Sequence, residues 1–433
     1  MRLRSPHDRE ILRLALPALG ALAAEPIYVL VDTAIVGHLG RPQIAALGLA
    51  GTVLSGAFTI FNFLTYGTTA IVARAAGAGR QERAARLAAQ ALWLSLAIGL
   101  ALVVVCEAAA SPMLDVLGAH GRSGAYALTY FRIAALGLPA ALIALAGQGY
   151  LRGVSNLRRP LEIVVAANLV NVVLELVFVY VLHWGIKGSA AGTAIAQAGM
   201  GAAFIVELVR PHADSKRPSV SEMRPMMRIG GQIFVRTTAL YASFLAAASV
   251  CARMGDAQLG AHQIAGQLFF FLALILDSVA IAGQVIVGRS LGSGDADGAY
   301  ASAARMIVWS VAVGLAFAVV LFPLAHVVPR AFTGDARVLH EASSLWPYFA
   351  VMQPLGGAVF ALDGILIGAG DTHYLMWSML AASAVFITLA VLALELHWGI
   401  VGVWIALDVL IATRLAFLGV RFAGRRWAVV GWG

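Results

Sequence analysis

The sequence predicts an all-α integral membrane protein of twelve transmembrane helices, arranged as two parallel six-helix repeats. Composition comes first: 61% of the 433 residues are hydrophobic and 12% are charged, with a mean hydropathy of +0.85. No water-soluble domain needs that balance. Apolar runs of about 20 residues, each long enough to cross a ~30 Å hydrocarbon core as a helix, recur along the whole chain. The chain also repeats itself. Leu182-His183-Trp184-Gly185-Ile186-Lys187-Gly188 returns as Leu396-His397-Trp398-Gly399-Ile400-Val401-Gly402, six identities in seven positions at a shift of 214. At a shift of 215, Leu39 to Gly51 meets Met254 to Gly266, and Pro139, Gly149 and Gly153 meet Pro354, Gly364 and Gly368. Two related halves follow from this self-similarity.

In chain order, the first six spans centre near Leu22, Phe58, Ala97, Leu138, Val170 and Ala198. The second six centre near Ala239, Leu272, Gly314, Leu355, Ser383 and Leu410. Breaks between them carry Gly, Pro, Arg or Asp, and small and polar residues dilute the fourth and tenth runs. Met1 to Arg13 reads as a basic lead, and no cleavage site follows the first apolar run, so that run is a membrane helix rather than a removable signal. After the second and eighth spans, Gly77 and Gly79 recur as Gly292 and Gly294, where glycine permits a tight turn. A phosphate-binding loop is excluded there because no Lys-Ser or Lys-Thr follows. Residues 211–225, with Pro211, Asp214, Lys216, Arg217, Pro218 and Pro225, read as a cytoplasmic linker between an amino-terminal lobe at 1–210 and a carboxy-terminal lobe at 226–433. An even number of spans per half makes the repeat parallel, with a pseudo-twofold axis along the membrane normal.

The formal net charge of +8 marks no nucleic-acid partner, because about 21 of the 30 Lys and Arg fall on one side of the spans. That bias places both termini in the cytoplasm of a cell whose inner (plasma) membrane holds the chain. Cys106 and Cys251 lie in apolar runs, so neither a disulfide framework nor a thiolate metal site is expected. His183 and His397, beside Trp184 and Trp398, read as interfacial residues rather than metal ligands. No nucleophile and base, metal triad or cofactor loop is present, so an enzyme is not expected, nor is a cofactor.

Charges inside spans are expensive in hydrocarbon and carry the functional signal. Asp32 lies in the first span, and its counterpart in the second half is Ala247. Asn171 and Glu175, four residues apart in the fifth span, share one helical face, with Asn168 nearby; their counterparts Val385 and Leu389 are apolar. If Asp32 and Glu175 meet in a low-dielectric environment, both cannot stay ionised, so a proton or a hard cation neutralises the pair. A buried structural hydrogen-bond network is the alternative. Asp277 corresponds to Asn62 and Asp363 to Gln148, a symmetry that favours supporting or cavity-lining roles. Glu25 lies two turns before Asp32 and is a further candidate for an ion path. Arg132, Arg236 and Arg414 are the in-span cations, with Asp277, Asp363 and Asp408 as candidate partners. Phe269-Phe270-Phe271 offers ring faces to a cation, but most of that run is expected to meet lipid.

Six plus six spans, Pro17 in the first of them, Val31-Asp32-Thr33 within Leu30 to Gly37, and Asp363-Gly364-Ile365-Leu366-Ile367-Gly368-Ala369-Gly370-Asp371-Thr372 together resemble the multidrug and toxic compound extrusion (MATE) family, specifically its DinF-like branch. The resemblance covers essentially the full chain. It implies a membrane antiporter that exports small organic cations or amphipathic compounds in exchange for protons or sodium, alternating between V-shaped states of two six-helix lobes around a central cavity. It also implies that Asp32 is the first-helix coupling residue, Tyr28 its supporting tyrosine, Asn171 the fifth-helix amide, Thr193 a sixth-helix hydroxyl of the same cluster, and Pro17 the site of a helix bend. Glu175 departs from the family pattern, which tends to place Asp there. The added methylene favours protons over sodium, although Asp32, Asn171, Glu175 and Thr193 together also describe a possible sodium site. A lipid-linked saccharide flippase and a non-transporting membrane scaffold are the other readings; the first would need a basic cavity, and the second would not need these acids. A monomer in contact with membrane lipid is expected.

Overall fold

The computed structural model describes residues 6–213 and 216–431, and the regular structure among them is helical throughout. Met1–Ser5 of the basic lead and Asp214 of the linker lie outside the described residues. Fourteen α-helices follow in order: α1 (Pro6–Gly37), α2 (Arg41–Phe61), α3 (Phe63–Gly77), α4 (Gln81–Val116), α5 (Gly121–Ala135), α6 (Leu138–Gly153) and α7 (Arg158–Leu176), then α8 (Ile186–Val209), α9 (Val220–Met254), α10 (Asp256–Gly292), α11 (Ala296–Leu321), α12 (Ala336–Gly368), α13 (Thr372–Glu395) and α14 (Gly399–Ala423). Ten of these are individually long and apolar enough to cross a membrane, and α5 with α6, bent by 50°, makes an eleventh crossing. The twelfth is α2 with α3, joined through Asn62, whose backbone stays right-handed at φ −59°, ψ −14°. Leu16, Leu30, Val104, Leu245 and Val420 are exposed, as expected where the surrounding solvent is lipid.

The repeat is visible in the element limits. Helix α10 begins and ends 215 residues after the outer limits of the α2–α3 pair (Asp256 and Gly292 against Arg41 and Gly77), and α12 does the same for α5–α6 (Ala336 and Gly368 against Gly121 and Gly153). The interruptions in the first half, at Asn62 and at Leu136-Gly137, are absent from the continuous helices of the second. Close helix approaches recur too. A Cβ on Gly99 would meet Pro139 Cα at 2.5 Å, and one on its counterpart Gly314 would meet Pro354 Cα at 2.8 Å. Small residues therefore let α4 press on α6, and α11 on α12, as membrane helices require when packing rather than hydrophobicity holds them together. The two HWG turns share one backbone shape, with His183 at φ 55° and His397 at φ 57°. Their Trp184 and Trp398 are exposed.

Two compact units emerge: Gly20–Gly230, and Met1–Leu19 together with Gly231–Gly433. In the first, α6 is central and packs on α3, α4 and α8; in the second, α12 is central and packs on α10, α11 and α14. These limits differ from a division at 211–225, and side chains explain why. Asp8 accepts hydrogen bonds from Arg305 Nε (2.6 Å) and Nη2 (2.9 Å) and from Trp309 Nε1 (2.9 Å), while Arg289 pairs with Glu10. The start of α1 thus belongs with α10 and α11. Conversely, Ser219 N donates to Gln90 Oε1 (2.8 Å) and Gln90 Nε2 donates to the Arg217 carbonyl (2.9 Å), which fastens the approach to α9 onto α4. Pro225 lies inside α9 rather than in the linker. Likewise α1 stays helical through Pro17, the expected bend, and through Pro26.

Candidate ion-coupling site

Three helices of the Gly20–Gly230 unit each bring two polar residues one turn apart: Tyr28 and Asp32 on α1, Asn171 and Glu175 on α7, Ser189 and Thr193 on α8. Their side chains meet. Ser189 Oγ donates to Asp32 Oδ1 at 3.0 Å, Thr193 Oγ1 to Glu175 Oε1 at 3.3 Å, and Tyr28 Oη to Glu175 Oε1 at 3.4 Å. The Tyr28 and Thr193 hydroxyls lie 3.0 Å apart. Ser189 and Thr193, one turn apart on α8, thus hold Asp32 and Glu175 next to each other, and Tyr130 of α5 lines the cavity beside them. Gly192 makes the packing possible, since a Cβ there would lie 3.1 Å from Glu175 Cγ and 3.5 Å from Asn171 Oδ1.

Burial is nearly complete: Glu175 is 0% exposed, Asn171 3%, Asp32 5% and Thr193 7%. Neither carboxylate is ion-paired with Lys or Arg among the described residues. Two oxygens, Glu175 Oε2 and Asn171 Oδ1, are buried without a hydrogen-bond partner. A buried acceptor left unsatisfied is destabilising, so these are the two atoms in the cluster that a hydrogen-bond donor or a cation would relieve. Tyr28, Asp32, Tyr130, Thr193 and Gln197 line a cavity of about 350 Å³ beside the cluster, whereas Asn171 and Glu175 sit behind that wall. Asp32 therefore faces the cavity, and Glu175 lies deeper.

The remaining candidates are placed as follows. Asn168 Nδ2 donates to the Ala24 carbonyl at 3.1 Å and so ties α7 to α1 next to the cluster. Glu25 lines the same cavity as Asp32. Asp277, half-buried on α10, and Asp363, on α12, belong to the other unit. There Asp363 Oδ2 accepts from both Arg236 and Arg414, so the sequence's unmatched cations find one shared partner. Arg132 instead pairs with Glu107 at 3.5 Å. At the positions equivalent to Tyr28 and Asp32, α9 carries Ser243 and Ala247, and Ser243 Oγ bonds Ser383 Oγ of α13 at 3.0 Å. The second half thus keeps a neutral hydroxyl contact where the first has acids.

Sequence reasoning missed Ser189, Tyr130 and Gly192. Ser189 carried a usable signal, a hydroxyl one turn before Thr193 on a Gly- and Ala-rich helix. Tyr130 carried none, because it lies in the diluted fourth run.

Comparison with known proteins agrees with this architecture. The MatE family model matches residues 17–177 and again 233–392, once in each half. The chain belongs to that family, whose members are multi-pass membrane transporters and not enzymes. It is 31% identical to Protein DETOXIFICATION 44, chloroplastic, of Arabidopsis thaliana (94% of this chain, 80% of the relative). It is 28% identical to DNA damage-inducible protein F of Escherichia coli strain K12 (96% and 92%), which makes the DinF-like branch the apt comparison. It is 29% identical to a probable multidrug resistance protein NorM of Bradyrhizobium diazoefficiens (95% and 92%). Among solved structures, a MATE protein crystallised in a bent conformation superposes with a TM-score of 0.88 at 21% identity, covering 99% of this chain and 96% of that one.

Proposed function

We propose that this MATE-family chain is a proton-coupled antiporter that exports small organic cations or amphipathic compounds by alternating access, with Asp32 and Glu175 as the coupling pair. One observation carries the reading: two buried carboxylates, held through neighbouring hydroxyl groups of α8 and without an ion pair to Lys or Arg among the described residues. In so dry a place a single negative charge is tolerable and two are not, so the pair takes up one proton readily. Loss of that proton leaves a charge beside a cavity walled by Tyr28, Tyr130 and Phe58. A cation gains there both from the carboxylate and from the ring faces. Proton and substrate then compete for one charge, which is the thermodynamic core of exchange. The cavity's volume falls in the range of about 300–1,000 Å³ typical of small-molecule sites.

Sodium is the second reading, favoured by the unpartnered oxygens Asn171 Oδ1 and Glu175 Oε2. A saccharide flippase is disfavoured, since neither Lys nor Arg lines this cavity among the described residues. The same reading has the protein as a monomer in the inner membrane with both termini cytoplasmic, and the Lys and Arg bias supports that orientation. The test is purified protein in liposomes with fluorescent organic cations and imposed gradients. A proton gradient in sodium-free buffer should drive export, and Asp32→Asn should abolish it without loss of membrane insertion. Transport that needs sodium at every pH, with none from a proton gradient alone, would reassign the cluster as a sodium site.

A further inference from the structure

A second cavity, of about 210 Å³, lies in the same unit, and Glu25 and Phe58 line both it and the cavity at Asp32. Its other polar walls are Asn62, Gln148 and Arg152. Arg152 is buried in the last turn of α6 and donates from Nη2 to Gln148 Oε1 at 3.3 Å. This places it at the end of the unit where the α3–α4 and α6–α7 loops lie, the end rich in Arg. The unit therefore holds two adjoining chambers, and the one carboxylate common to both linings is Glu25.

Helix α1 is continuous through this junction but lacks one hydrogen bond there. Pro26 has no N–H, so the Leu22 carbonyl lacks its donor four residues on. Leu22 itself lines the second cavity, where that oxygen can take a hydrogen bond from water. Asn168 holds the Ala24 carbonyl from α7 and steadies the segment between. Glu25 itself is exposed rather than packed.

Resting on the proton-antiport reading above, we propose that Glu25 is a relay carboxylate that passes the coupling proton between the Asp32–Glu175 pair and the second cavity, whose lining it shares with Arg152. Seven residues of helix separate Glu25 from Asp32, about 10 Å of rise at ~1.5 Å per residue, too far for direct transfer. Water must bridge the gap, and the first cavity exceeds the ~30 Å³ share of one water many times over. The step balances by itself: an O–H bond of the Asp32–Glu175 pair breaks, one forms on Glu25, and that proton next leaves to water in the second cavity. The titratable and charged groups facing this route are Tyr28 and Asp32 on α1, Tyr130 on α5 and Arg152 on α6, with Glu175 behind Asp32.

The experiment uses full-length protein in liposomes carrying an interior pH dye, comparing wild type, Glu25→Gln and Glu25→Asp. Each is measured for proton-driven export of a fluorescent cation, for substrate-linked proton flux, and for counterflow of labelled against unlabelled substrate, which needs no proton cycle. Glu25→Gln should lose about tenfold or more in export and proton flux while counterflow stays within about twofold, and Glu25→Asp should recover most of the loss, as for other positioned acid–base groups. Undiminished export by Glu25→Gln overturns the relay alone. A parallel fall of counterflow in that variant also overturns it, since Glu25 would then serve substrate or fold. Wild-type protein that moves substrate without moving protons overturns the antiport reading and the relay with it.

Discussion

Gly192 shows how one missing side chain decides the chemistry of the site. An added methyl would stand 3.1 Å from Glu175 Cγ and 3.3 Å from Glu175 N, tighter than ordinary van der Waals contact, in a helix pair with no slack. Gly192→Ala should therefore displace the Glu175 carboxylate and lower ion-driven export severalfold, while the inserted protein remains monodisperse in detergent; unchanged export would mean that the cluster tolerates a shifted Glu175. Glu175→Asp probes the same atom from the other side. Its shorter arm should preserve proton-driven export and add a sodium response, read as stimulation of export by an imposed sodium gradient. Asp363 belongs to a different kind of site. It is shared by the half-buried Arg236 and the buried Arg414, and removing it leaves two positive charges close together with no counter-charge between them. Asp363→Ala should destabilise the protein by about 3–5 kcal/mol, the usual penalty for breaking a buried pair, seen as a lower unfolding midpoint in detergent.

Among the elements, α1 does most to link fold and function. Its first turns carry Asp8 and Glu10, which Arg305 and Arg289 hold; its middle carries Pro17, Glu25 and Pro26; its last turns carry Tyr28 and Asp32. Arg305→Gln should release the first turns, so that amides in residues 6–19 exchange hydrogen faster than in wild type, and exchanging the charges as Asp8→Arg with Arg305→Asp should restore protection. None of this anchoring was legible in the sequence, because Asp8 and Arg305 lie 297 residues apart and nothing local marks them as partners. The helices were legible, since hydrophobicity of that length has one stable form in lipid. The interruption at Leu136-Gly137 lies in a run read only as diluted, and the one at Asn62 was not read as a break at all. The site was half legible: a carboxylate in an apolar run announces itself, as with Asp32 and Glu175, whereas Ser189 looks like an ordinary helix residue until packing brings its hydroxyl to Asp32, and Tyr130 until packing brings it to the cavity wall.

At the scale of the whole molecule, the repeat sets the topology and the departures from it set the function. Matching limits for α2–α3 with α10 and for α5–α6 with α12 show that the halves share one path through the bilayer. Six crossings separate each element from its counterpart. An even number returns the chain to the side from which it started, so equivalent loops must emerge on the same face of the membrane. The HWG turns are suitable reporters: His183 and His397 share a left-handed backbone, and both are exposed. With His183→Cys and His397→Cys each introduced into a protein whose Cys106 and Cys251 have been replaced by Ala, an impermeant thiol reagent should label both from outside intact cells. A cysteine at Gly79 or Gly294, in the turns at the opposite end, should react only after the membrane is opened. Labelling of His183→Cys and His397→Cys from opposite sides would mean an odd number of crossings between them, and the parallel repeat would have to be abandoned.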